Sequence, residues 1–124
     1  MKYRLFILIV FFFRPSPSFA GVAQATLFID SADTYQSALV EEINQMLFYS
    51  PTLRAAIEIR IFDINPGSRA FNGEVIYQHD KEGKAVSQYR PGQLPYLFCL
   101  ANGKTQTHFT LRNKDQIWSC IKNG

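Results

Sequence analysis

Residues 90–105 read RPGQLPYLFCLANGKT, and the order of events in that stretch decides how the chain is built. Pro95 stands directly before an apolar run, at the first residue of a strand, one of the few places in a sheet where a missing amide hydrogen does no harm. Asn102-Gly103 closes the run, and that dipeptide is the strongest signal for a two-residue hairpin turn. The next segment, KTQTHFTLR, alternates Thr, His and Phe as an antiparallel partner should. After it, NKDQIWSCIKN is expected to form a helix capped at Asn113 or Asp115. The C-terminal part therefore reads strand, tight turn, strand, helix.

Working back toward the N-terminus, ATLFID at residues 25–30 is a short apolar run, as expected of a strand facing core on both sides. In SADTYQSALVEEINQMLFYSP, any of Ser31, Asp33 or Thr34 is able to cap a helix. Tyr35, Ala38, Leu39, Ile43, Met46 and Leu47 recur at three- and four-residue steps, which predicts one apolar face, with Glu41, Glu42 and Gln45 in water and Pro51 at the end. Residues 55–64 then alternate, with Ile57, Ile59 and Ile61 on one face and Glu58, Arg60 and Phe62 on the other. Strand, helix, strand is the opening of a βαβ unit with parallel strands and a right-handed crossover. Within residues 66–92, EVIYQHD and KAVSQYR flank Lys81-Glu82-Gly83, so a hairpin is expected, with a short helix from Lys84 to Tyr89 as the alternative.

The first 20 residues set the compartment. Lys2 and Arg4 precede the apolar run LFILIVFFF, and Ser18 and Ala20 supply the small residues of a cleavage site, so residues 1–20 are expected to be a signal peptide and residues 21–124 a single exported domain, periplasmic or secreted. The run is short for a bilayer, which takes about 20 apolar residues, so contact with a membrane is expected only through an uncleaved signal. The whole chain carries 13 basic and 10 acidic residues; without Lys2, Arg4 and Arg14 the two signs balance. No lysine or arginine cluster remains to track phosphates, which argues against nucleic acid as a partner.

Taken together, this order of elements resembles the thioredoxin fold, and LPYLFCLANGKT is similar to that superfamily's segment in which a cis-proline opens a strand. The resemblance implies an α/β fold: a central mixed sheet with flanking helices, here with a possible hairpin insert, and a cis Leu94-Pro95 bond beside the end of the sheet where the superfamily engages substrates. Its oxidoreductases carry Cys-x-x-Cys at the start of the first helix, where the helix N-terminus lowers the thiol pKa. The corresponding stretch here, DSADTYQSA, has no cysteine. The resemblance then implies a scaffold for binding or assembly rather than redox chemistry. Among exported proteins of this type the chain is similar to the periplasmic TrbC-type pilus-assembly proteins, which implies a protein partner in a conjugative transfer or type IV secretion apparatus. Two rival functions are a divergent periplasmic thiol–disulfide oxidoreductase and a small secreted inhibitor or immunity protein.

In the implied fold the last helix covers the sheet, so Cys99 on the strand after Pro95 and Cys120 on that helix are expected to form a disulfide; two small buried residues are the alternative. Asp33 and Tyr35 at the start of the first helix, with Leu94, Pro95 and Tyr96, are expected to form a binding end that takes an extended segment of a partner by strand addition. No catalytic residue, metal or cofactor is expected. His79 and His108 lack ligand partners nearby and read as a solvated loop histidine and an outward-facing strand histidine. Ser31, Asp33 and Thr34 read as helix caps rather than nucleophiles. Tyr77, Tyr89 and Tyr96 are the aromatics expected to be exposed.

Overall fold

A computed structural model describes residues 22–67 and 71–122; the expected signal peptide lies outside these described residues. The strands are β1 (Ala23–Ile29), β2 (Ile57–Asp63), β3 (Ile76–His79), β4 (Tyr96–Ala101) and β5 (Lys104–Thr110). The helices are α1 (Thr34–Tyr49), α2 (Pro51–Ala56), α3 (Lys84–Tyr89) and, after a 3₁₀ turn at Lys114–Ile117, α4 (Trp118–Lys122). One sheet holds the strands in the order β3-β2-β1-β4-β5. Neighbours β1, β2 and β3 are parallel, whereas β4 runs antiparallel to both β1 and β5. This is the mixed α/β sheet expected from the sequence.

The stretch around Pro95 folds as read. The Leu94-Pro95 bond is cis, and Asn102 and Gly103 form the turn with φ of 54° and 78°, left-handed values that explain why Asn-Gly stands there. Asn113 caps the last helical segment in a capping box with Gln116.

Helix α1 departs from the expected face. Asp33 is its N-cap, accepting from the Tyr35 amide at 2.9 Å. The buried stripe is Gln36, Leu39, Val40, Ile43 and Leu47, with Ser37 beside it, so Tyr35 and Ala38 point outward. With a period of 3.6, Tyr35 lies about 100° around the helix from Gln36, enough to move its ring from core to solvent. Ser50 and Pro51 start α2 at once, and α2 keeps Ala55 and Ala56 helical, so β2 begins at Ile57 rather than two residues earlier. Arg54 bonds the Leu47 and Phe48 carbonyls, satisfying the end of α1.

The hairpin expected within residues 74–90 does not form. β3 pairs parallel with the outer edge of β2, and the chain then enters helix α3. Asp80 decides the outcome: its two carboxylate oxygens accept from the Ala85 and Val86 amides, each at 3.0 Å, and so nucleate the helix in place of a returning strand. The segment leading into β3 is pinned to α1, because Asn44 Oδ1 accepts from the Glu74 and Val75 amides at 2.9 and 3.1 Å. Gly73, at φ 147°, passes so close that a Cβ there would lie 2.7 Å from that oxygen. Gly73→Ala is therefore expected to cost at least about 1 kcal/mol in a urea melt, since the strained φ and the displaced Asn44 act together.

The sheet buries a core on each face. Under α1, α2 and α4 lie Leu27, Ile29, Ile43, Leu47, Leu53, Ile59, Ile61, Leu97 and Ile117. Under the short α3 lie Phe28, Phe98, Leu100 and Ala85, with Phe62 and Tyr89 packed against them. Each large side chain removed from water contributes roughly 1.5–3 kcal/mol, so the first face dominates stability.

Candidate functional site

Pairing of Phe28 with Tyr96 places the C-terminal end of β1 beside the N-terminal end of β4. Residues 30–35 and the loop before Pro95 consequently meet at one end of the sheet. Of the expected binding residues, Asp33 is exposed and spends its carboxylate on the helix cap and on Gln36 Nε2 at 3.1 Å. Tyr35 is 54% exposed, and its hydroxyl donates to the Arg112 carbonyl, tying the start of α1 to the chain just beyond β5. Pro95 is buried; its carbonyl accepts from the Leu111 amide at 2.8 Å, while Thr110 Oγ1 donates to the Gln93 carbonyl at 2.9 Å. Between these two committed carbonyls, the amide and carbonyl of half-buried Leu94 bond to none of the described residues. Tyr96 is half-buried with its hydroxyl on His108 Nδ1 at 2.6 Å.

Behind this surface is a polar network that reading the sequence missed. Asp63, the last residue of β2, is fully buried and accepts four hydrogen bonds: from the Ser31 amide (3.0 Å) and hydroxyl (2.6 Å), the Asn65 amide (3.0 Å) and the Tyr77 hydroxyl (2.6 Å). Asn65 Nδ2 returns a bond to Ser31 Oγ at 2.9 Å, and Ser37 Oγ holds the Ser31 carbonyl at 2.7 Å. Burial works to raise the Asp63 pKa, but the Ser31 and Tyr77 hydroxyls and the Asn65 and Ser31 amides outweigh it, leaving the carboxyl below its ordinary 3.8. The signal was in the alternation itself: the period that buries Ile57, Ile59 and Ile61 carries on to Asp63 and sets a carboxylate on the core face. Ser31 is thus neither cap nor nucleophile but the tether between that carboxylate and the turn before α1.

Two further readings are corrected. His79 closes strand β3 and its Nε2 sits 2.7 Å from the Asn65 carbonyl, so it is not a solvated loop residue. Tyr77, Tyr89 and Tyr96 are half-buried: Tyr77 faces Asp63, and Tyr89 packs its ring 5.2 Å from Phe98 and 5.4 Å from Phe28. The well-exposed aromatics are Tyr35, Phe48, Tyr49 and Trp118. His108 is exposed on β5, as expected.

The cysteines lie apart from this end's helix start. Cys99 and Cys120 form a disulfide between β4 and α4, and they are 1% and 2% exposed. At the turn into α1 the residues are Asp33, Thr34, Tyr35 and Gln36, with the Gln36 side-chain oxygen accepting from the Asp30 amide at 2.8 Å. No group of three His, Cys, Asp or Glu side chains suited to a metal is found among the described residues.

A parallel β1–β2 pair joined through a helix, a cis-proline opening β4 beside β1, and a terminal hairpin and helix define a thioredoxin-like domain. Solved structures share that fold. StoA from Bacillus subtilis superposes with a TM-score of 0.64 at 10% identity, over 81% of this chain and 82% of that one. The exposed lipoprotein thioredoxin Etrx1 from Streptococcus pneumoniae gives 0.62 at 14% identity, over 85% and 87%. A secreted Mycobacterium tuberculosis disulfide oxidoreductase gives 0.57 at 16%, over 85% and 84%. At such identities the likeness is one of fold. No protein-family model and no curated protein matches the chain.

Proposed function

We propose that this protein is an exported, thioredoxin-like module that works through protein contacts, without thiol chemistry, at the end of the sheet formed by Asp33, Tyr35, Leu94, Pro95 and Tyr96. The observation that carries the reading is the pairing of both cysteines in one buried bridge while the turn into α1 holds Asp33-Thr34-Tyr35-Gln36. A thiol–disulfide oxidoreductase needs an accessible thiolate, and none is available at that turn. What this end does offer is an exposed tyrosine ring whose hydroxyl reaches the Arg112 carbonyl and, before Pro95, a Leu94 backbone that bonds to no described residue, a combination suited to an extended segment added at the strand end. No helix among the described residues is long and apolar enough to cross a membrane, in keeping with a domain that acts after export.

The partner in this reading is a component of a conjugative transfer or type IV secretion apparatus, a step that rests on likeness to TrbC-type proteins in fold type, small size and expected export. The rival thiol–disulfide reading is favoured by the names of the structural neighbours, and the inhibitor reading differs in acting alone.

Asp33 caps α1, so a charge reversal there would disturb the helix as well as the surface. Asp33→Ser keeps the cap, and combined with Tyr35→Ala it is expected to weaken partner binding by about 2 kcal/mol or more if the ring is a hot spot. A pull-down from the native host, wild type against this double variant, measures it. Loss of transfer-apparatus components from the variant's eluate is the expected result. The same partners at the same yield would place the binding surface elsewhere.

A further inference from the structure

Helix α3 has only six residues and covers part of its sheet face. Beside it the face is open as a hollow of about 610 Å³, floored by Thr26 and Arg60 and walled by Phe62, Tyr89 and Leu100, with Glu58 further out along β2. Thr26, only 5% exposed, lines the floor with a hydroxyl-bearing side chain. One feature of the floor points to a ligand. Half-buried Arg60, in the middle of a strand flanked on both sides, makes no ion pair or hydrogen bond with any described residue. An unpaired guanidinium set against an apolar wall is a costly arrangement to leave unused, and its planar fork suits a carboxylate. Asp80 lines the same hollow but forms no ion pair with Arg60; its two oxygens accept from the Ala85 and Val86 amides.

We infer that this hollow is a binding site for a small organic monocarboxylate, with the carboxylate on Arg60 and Thr26 and an apolar body against Phe62, Tyr89 and Leu100. Glu58, two residues from Arg60 on the same strand face, disfavours a second negative charge and so selects a monoanion over phosphate. The site is on the sheet face under α3 and does not depend on the contacts at the Asp33 end.

Amide and guanidinium NMR of the full chain titrated with phenylbutyrate, its neutral amide phenylbutyramide and inorganic phosphate tests this. Saturable shifts at Thr26, Tyr89 and the Arg60 side chain are expected with phenylbutyrate, and affinity for phosphate and for the amide should be lower by about tenfold or more, the loss of one charge-assisted contact. Arg60→Gln should weaken phenylbutyrate by a similar factor, while Arg54→Gln on the other face leaves it unchanged. Absence of saturation, equal binding of the neutral amide, or undiminished binding by Arg60→Gln would each overturn the inference. The wild-type comparison of acid with amide stands even if Arg60→Gln fails to fold.

Discussion

Replacing Asp63 by alanine is expected to lower the free energy of unfolding by about 3 kcal/mol or more, because it strands four donors that now end on one buried carboxylate. For a domain of this size that loss shifts Tm by roughly 10–20 °C, read by thermal circular dichroism at neutral pH. The same residue sets an acid limit. A carboxylate whose folded pKa lies below its unfolded value adds stability that is fully present above the unfolded pKa and is lost as pH falls through the folded one. Wild-type stability should therefore drop below about pH 4, and the drop should shrink in Asp63→Asn, which no longer carries the charge. An Asp63→Ala protein as stable as wild type would show that Ser31, Asn65 and Tyr77 find other partners, and that the turn into α1 does not depend on this carboxylate.

Loss of the Cys99–Cys120 bridge is the second large effect. It closes a loop with a sequence separation of 21, and constraining such a loop in the unfolded chain contributes about 3 kcal/mol in the chain-entropy account. Cys99→Ala with Cys120→Ala should lose that amount in urea unfolding, less whatever the alanines regain by packing. The bridge itself is checked by intact mass: under denaturing conditions neither cysteine should take up an alkylating reagent until a reductant has acted. Alkylation of both without reduction would return them to two small core residues.

How far the sequence led differs by element, for physical reasons. The terminal half was legible because its signals are local: a proline tolerated only at a strand start, an Asn-Gly pair that needs left-handed backbone, an alternating partner strand and a capping asparagine. β2 was legible from its alternation. Residues 74–90 admit both a hairpin and the short helix that forms, because Asp80 suits a tight turn as well as a helix start; its bonds to the Ala85 and Val86 amides select the helix, and β3 takes the free edge of β2, a tertiary partner with no trace in the local pattern. Periodicity counted Tyr35 with the apolar face because of its aromatic character, although the stripe runs through Gln36, Val40 and Ile43 and leaves Tyr35 exposed at the end where the fold resemblance expects a binding surface. A buried glutamine and serine in that stripe make sense only once the turn and Asp63 are seen to use them. For the candidate site, the meeting of residues 30–35 with the loop before Pro95 followed from the resemblance to a fold; the network behind it depended on a contact between Ser31 and Asp63, 32 positions apart.

The central claim, binding without thiol exchange, is tested most directly by assaying the purified oxidised and reduced protein for glutathione-coupled reduction of insulin disulfides. Turnover indistinguishable from buffer, in both redox states, is the predicted result. Catalysis above background that vanishes in Cys99→Ser or Cys120→Ser would contradict it and make the buried bridge a working redox centre.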